Sequence, residues 1–332
     1  MPTHPPSPHD AHAPYDAHDP CDPYDAHDPC DPYDAHDPYD AHAPEAPAPH
    51  GPAAPGAATP GATPSASTPP VTAPAGVVAA LRAAGCVFAE DEAALLLAAA
   101  RTPGELAAMV ARRTAGHPLE HVVGWADFAG LRVAVDEGVF VPRRRTEFLV
   151  ERAAVLARRY RRPLVVDLCC GTGALGAALV TALGGAADLH AADIDPAAVR
   201  CARRNLAPLG GRVHEGDLFA ALPPGLRGRV DVLLANVPYV PTAEVPFLPA
   251  EARVHEAPVA LDGGPDGLDV LRRVAAGAGG WLAPGGSLLF ETSEAQAPAA
   301  ALVAEADGEL TARVATCDDR YATVVIATRP SR

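Results

Sequence analysis

Asn236, Val237, Pro238 and Tyr239 follow a short apolar run, Val230 to Ala235, whose Val and Leu content fits a strand buried on both faces. In an open parallel α/β sheet, ligands sit in the crevice beyond the carboxyl ends of the strands. The run would therefore deliver an amide side chain, a rigid turn and an aromatic ring to such a crevice. The Asn236 side-chain oxygen and the Val237 backbone carbonyl are both hydrogen-bond acceptors, and Tyr239 offers a flat face. Together they suit a planar NH2 group, whether of a carboxamide or of an exocyclic amine. An ordinary Asn/Pro turn after a strand has the same local signature, so the tetrapeptide alone leaves both readings open.

Three further stretches carry polar groups at strand ends. Pro163 to Leu168 reads as a strand running into Cys169-Cys170-Gly171-Thr172-Gly173-Ala174-Leu175-Gly176 and then an Ala-rich helix. Gly171, Gly173 and Gly176 match G-x-G-x-x-G, the dinucleotide fingerprint, so a nicotinamide-linked oxidoreductase is a rival on this stretch. Asp167 stands four residues before the first of these glycines. A carboxylate there repels a pyrophosphate and suits a cationic ligand carrying an amino group and a sulfonium. His190 to Asp195 reads as the next strand, with Asp193, beside Ile194, placed for the ribose hydroxyls of a nucleoside or else a surface turn acid. Asp195-Pro196 then caps and opens a helix. In Val213 to Phe219, Asp217 is placed to accept from an adenine amino group and Leu218 or Phe219 to pack on the ring.

The elements that must position these groups begin late in the chain. Residues 1–75 are dominated by Pro, Ala, Asp and His, with almost nothing aliphatic to bury, and read as a disordered tail. The unit PYDAHDPCD starts at Pro14 and again at Pro23, and a shortened copy starts at Pro32. Ten Asp and one Glu lie in this tail, and no Lys or Arg precedes Arg82, so of the net charge of −15 the rest of the chain carries −4. That body shows no basic footprint for a phosphate backbone. The His/Asp/Cys tract can scavenge zinc or nickel, although a solvated repeat linker is the better account of it. No Cys pairs stand at zinc-site spacing, and no metal is expected. There is no signal peptide and no apolar run of about twenty residues, which points to a cytoplasmic chain without a membrane span.

After the tail, the spacing predicts a small helical domain over 76–120, which includes a capping box at Thr102-Pro103-Gly104-Glu105. At about fifty residues or fewer this domain must dock on the larger C-terminal part of the chain. Val122 to Val135 reads as two short alternating runs around a turn, a β-hairpin within a linker over 121–145. Residues 146–332 hold the main α/β sheet. Leu288 to Glu291 supplies its fifth strand, and Thr311–Thr316 and Ala322–Ala327 a final antiparallel pair.

With DLCCGTG, AADID, GDLF and NVPY in this order, the chain resembles the glutamine-amide methyltransferases of translational release factors (the HemK/PrmC family). Gly116 to Gly124 looks like that family's G-x-P-x-x-Y-x-x-G, with His121 in place of Tyr. Val141 to Glu147 looks like its I-P-R-P-E-T-E, and Glu256 to Leu268 like its E-P-x-x-A-L-x-G-G-x-D-G-L. Glu291 and Gln296 match the E and Q of its E-I-G-x-x-Q. Three departures stand out: Val237 replaces the first Pro of N-P-P-Y, Arg144 replaces a Pro, and Arg145 replaces a Glu.

The resemblance implies a class I S-adenosylmethionine-dependent methyltransferase fold, Rossmann-like, with about seven mostly parallel strands. It implies S-adenosylmethionine held by Asp167, Gly171, Thr172, Gly173, Asp193, Ile194, Asp217, Leu218 and Asn236. It further implies N5-methylation of a glutamine by Asn236, Val237, Pro238 and Tyr239, with Arg143 also meeting the substrate. The expected partner is a release factor or another Gln-containing protein, acted on by a monomer. Methylation of an exocyclic base amine in RNA or DNA is the alternative, against which the charge of the body counts.

Overall fold

The computed structural model describes residues 73–331, so the repeat tail lies, up to residue 72, outside the described residues. Helices α1 (Pro74–Ala83), α2 (Ala89–Ala99) and α3 (Pro103–Thr114) bury Val77, Leu81, Leu96, Leu106 and Val110 against one another. The Thr102 hydroxyl caps α3 by accepting the Glu105 N–H at 3.1 Å. Glu105 reaches back to the Arg101 N–H at 2.8 Å, one residue earlier than a simple capping box. Arg113 is buried on this bundle and donates to both Glu92 oxygens, at 2.6 and 2.9 Å. Its guanidinium also pairs with Glu251 of α8 (Ala250–His255), which ties the bundle to the main body.

The hairpin is shorter than the alternating pattern suggests. Val122 and Val123 end a single helical turn, α4 (Leu119–Val123), closed by Gly124 in the left-handed region at φ 83°. Val122 packs into the bundle core, and that contact outweighs the strand pattern of its neighbours. The hairpin itself is β1 (Trp125–Phe128) and β2 (Leu131–Ala134). Ala129 and Gly130 turn it with both φ values positive, as a two-residue hairpin turn requires.

The remaining elements are α5 (Glu147–Ala157), β3 (Leu164–Leu168), α6 (Ala174–Ala182), β4 (Asp188–Asp193), α7 (Pro196–Leu206), β5 (Arg212–Glu215), β6 (Val230–Ala235), α9 (Asp269–Trp281), β7 (Leu282–Thr292), α10 (Ala297–Glu305), β8 (Thr311–Cys317) and β9 (Ala322–Thr328). They build a seven-stranded sheet in the order β5-β4-β3-β6-β7-β9-β8. Five strands run parallel, and β9 runs antiparallel to both of its neighbours. This is the class I methyltransferase architecture expected from the motifs. Val165, Val232, Leu234 and Ile326 face α5, α6 and α7. Val166, Leu233, Phe290 and Val325 face α9 and α10 on the other side. Burial on both faces explains why these strands read as continuous apolar runs. Because β4 and β6 leave β3 on opposite sides, a crevice opens above the β3/β6 pair, where Leu168 lies opposite Ala235.

A polar contact crosses β4 and β5 at the sheet edge. Arg212 Nη1 lies 3.1 Å from His190 Nε2, and His190 Nδ1 lies 3.0 Å from His214 Nε2. A guanidinium only donates, so His190 accepts at Nε2 and donates its Nδ1–H to His214. The chain of bonds is complete only when both rings are neutral. Burial and the neighbouring arginine hold both histidines below their ordinary pKa, with Asp188 opposing this at His190. For a base with a depressed folded pKa, the unfolded state binds more protons, so stability is lost as pH falls below the unfolded value of about 6.5. The replacement His190→Asn/His214→Gln should therefore flatten the fall in melting temperature between about pH 7.5 and 5.5. Thermal melts of both proteins across that range check this.

Candidate active site

The crevice is built from the chain segments that leave β3, β4 and β6. After Leu168 the backbone turns through Cys169 (φ 53°), Gly171 (φ 54°) and Gly173 (φ 77°) into α6. Glycine adopts such angles freely, whereas Cys169 holds its angle at some steric cost. Asp193, at the end of β4, braces the turn: its Oδ2 accepts the Gly171 N–H at 2.8 Å and its Oδ1 accepts the Asp195 N–H at 2.9 Å. Burial raises its pKa, and these N–H donors pull it back. Gly171, Thr172, Asp193 and Ile194 all line the crevice, and Ile194 is 52% exposed, an apolar surface available to a flat ring.

Asp167 lies behind this turn and does not line the crevice. It is buried; Oδ2 accepts the Gly176 N–H at 3.0 Å, and Oδ1 has no partner among the described residues. Burial pushes its pKa up to about 8. Gly173 also stands off the crevice, packed so that a side chain there would meet Leu206 at 3.0 Å. Asp217 pairs with Arg273, and Leu218 adopts φ 44°; neither lines the crevice. The two contacts expected for a nucleobase are thus turned toward α9 rather than inward.

Asn236, Val237, Pro238 and Tyr239 all line the crevice opposite the glycine turn. Among the described residues, neither the Asn236 side chain nor the Val237 carbonyl has a hydrogen-bond partner. The loop that carries them is braced from below. Val240 donates to Leu261 O at 3.2 Å, Gly263 donates to Val240 O at 2.9 Å, and Gln296 Nε2 donates to Tyr239 O at 3.0 Å. A Cβ on Gly263 would stand 2.7 Å from the Pro238 carbonyl oxygen, and one on Gly267 (φ 77°) would strike that of Tyr239. The Gly-Gly-Pro-Asp-Gly stretch is therefore glycine-rich because the NVPY backbone lies directly on it.

The arginines divide unexpectedly. Arg143, expected to meet substrate, lines the crevice; it is largely buried and donates to both Glu256 oxygens, at 2.8 and 2.9 Å. Val141 N–H adds a bond to the same carboxylate at 3.2 Å, so this pair holds the chain entering α5. Arg145 reaches Tyr239 instead: Nη2 donates to the phenol oxygen at 3.0 Å and Nε donates to Glu291 Oε1 at 3.0 Å. The Tyr239 hydroxyl donates to the same Glu291 oxygen at 3.0 Å. The motifs marked Arg145 only as a departure and Glu291 only as a matched position. A lone acid at the end of an apolar strand was the available signal for the latter.

Replacement of Gly267 by Ala should both strain the backbone and displace the Tyr239 carbonyl. We expect a stability loss of at least about 1–3 kcal/mol, with activity falling in parallel. Denaturant titration and an activity assay on the same preparation check this.

A family model described as "Methyltransferase small domain" matches residues 131–268. The chain is 39% identical over 190 residues to a release factor glutamine methyltransferase of Streptomyces coelicolor, covering 57% of this chain and 67% of that one. It is 41% identical over 202 residues to the Moorella thermoacetica protein of the same name, covering 59% and 69%. It is also 36% identical over 223 residues to a 4-amino-L-phenylalanine/4-methylamino-L-phenylalanine methyltransferase of Streptomyces pristinaespiralis, covering 65% and 75%. Identity at this level over at least two thirds of the relatives, together with the sheet order and the crevice between β3 and β6, places the chain: it belongs to the release factor glutamine methyltransferase family.

Proposed function

We propose that this protein transfers a methyl group from S-adenosylmethionine to the side-chain nitrogen of a glutamine, in the Gly-Gly-Gln loop of a peptide chain release factor or in another protein. The observation that carries this reading is the pair of unpartnered acceptors, Asn236 Oδ1 and the Val237 carbonyl, beside the Tyr239 ring in one crevice. The residues present fit the cofactor. The turn at Gly171 and Thr172 lets a ligand approach the backbone, Asp193 with Ile194 suits a ribose and a base, and Asp167, whose Oδ1 is orphaned, stands behind the turn and meets a ligand ammonium only if the turn shifts. Asn236 closes the same pocket, and Asp217 and Leu218 reach it only if the loop after β5 shifts. When bound, the cofactor supplies an electrophilic methyl on a sulfonium sulfur.

An amide nitrogen is a poor nucleophile because its lone pair is shared with the carbonyl. Asn236 Oδ1 and the Val237 carbonyl each accept one N–H of the glutamine amide, which favours positive charge building on nitrogen. Tyr239 packs on the amide plane, and Pro238 fixes the turn through its restricted φ. Orientation and preorganised dipoles then lower the barrier, and no strong base is needed, the proton leaving to water. Arg143 lines the crevice and is held there by Glu256, so it supports the wall and stands where a substrate can meet it. We read the enzyme as a cytoplasmic monomer; among the described residues no helix is long and apolar enough to cross a membrane.

A second acceptor class has one observation in its favour. The NH2 of an arylamine is also flat and offers two N–H donors, and the Streptomyces pristinaespiralis relative is named for such a substrate. The charge of −4 on the body speaks against a nucleic-acid amine. The deciding experiment is transfer of labelled methyl to purified release factors, with a Gln→Ala change in their Gly-Gly-Gln loop and Asn236→Ala in this protein as controls. We expect label only with both residues intact, and a fall in kcat/KM of about 10²–10³ for Asn236→Ala. Label on 4-amino-L-phenylalanine and none on release factors would move the assignment to arylamines.

A further inference from the structure

Arg145 is the least expected residue of the crevice, because the resembled I-P-R-P-E-T-E pattern places a glutamate there. A glutamate could donate nothing to the Tyr239 oxygen and would add a second carboxylate beside buried Glu291. The arginine does the reverse. Its planar fork bridges the phenol and the carboxylate with two separate N–H groups, and the phenol O–H closes the ring of three on Glu291. Glu291 is 2% exposed near the end of β7, a strand held between β6 and β9, so this anchor is part of the sheet rather than of a loop.

We propose that Arg145 is a positioning residue: together with Glu291 it fixes the Tyr239 ring, and thereby the face on which the acceptor NH2 group lies. The phenol oxygen accepts from Arg145 while its hydrogen goes to Glu291, so both of its roles are occupied. Tyr239 is thus an aromatic platform and does not take the acceptor's proton. Burial and the Glu291 charge hold the phenol above the ordinary tyrosine range, in keeping with that part. The consequence for turnover rests on the methyl-transfer reading given above, whereas the locking of the ring does not.

Ring-13C tyrosine incorporated into the full chain tests the locking directly, the Tyr239 signals being assigned by their loss in Tyr239→Phe. Arg145→Lys keeps the charge but replaces the planar fork, with its two spaced N–H groups, by a single nitrogen on a flexible stem, and Arg145→Ala/Glu291→Gln removes the charge pair together. In both, the Tyr239 ring signals should shift and sharpen toward those of a freely flipping ring, with S-adenosylmethionine affinity kept within about twofold. Under the proposed reaction, kcat in Arg145→Lys should fall about 10–100-fold, as a misplaced acceptor group does. In a Tyr239→Phe background the same change should cost less than a further twofold. Unmoved Tyr239 signals in both variants would overturn the proposal. So would a full, independent loss of kcat in the Tyr239→Phe background. A wild-type protein that methylates no release factor yet shows the expected ring signals would sink the reaction and leave the positioning role standing.

Discussion

The pairing of β6 directly beside β3 is the constraint on which the rest depends. β4 joins β3 on its other edge, so the chains leaving β3 and β6 diverge and cannot cover the carboxyl ends of their own strands. The crevice is a product of strand order, not of any one loop. One rim carries the glycine turn and Asp193, and the other carries Asn236 to Tyr239. A methyl donor on one side and an acceptor amide on the other would thus be held by strands whose spacing the backbone ladder sets.

Buried and half-buried acids turn this frame into a site. Asp193 holds the Gly171 amide, Asp167 holds the Gly176 amide, Glu256 holds Arg143 and the Val141 amide, and Glu291 holds Arg145 and Tyr239. Each is an acceptor in a poorly solvated place, where a charge without partners would be expensive. The acids therefore fix loops that the apolar core cannot reach. The same logic extends to the N-terminal helices: Arg113 joins Glu92 of the bundle to Glu251 of α8, a helix that contributes Ala252 to the crevice wall.

Much of this is legible in the chain because the signals are local. Val232 to Ala235 is apolar on both faces, Asp195-Pro196 is a cap and first-turn pair that suits a helix start, and the order of the motifs matches one family. Val122 and Val123 mislead for the opposite reason. Their alternation suits a strand, but a preceding Pro, a following Gly and a place in the bundle core make them helical.

The sequence by itself determined the fold class, the family and the identity of the NVPY platform, since each is written in residues close together in the chain. The tertiary structure alone decided which arginine meets Tyr239. Arg143 and Arg145 are two positions apart and chemically identical, and their partners, Glu256 and Glu291, lie more than a hundred residues downstream. Side chains two apart in a segment that enters a helix point in different directions, so one guanidinium reaches the wall and the other reaches the ring. No local pattern encodes that choice, because it is made by the sheet that brings β7 beside β6.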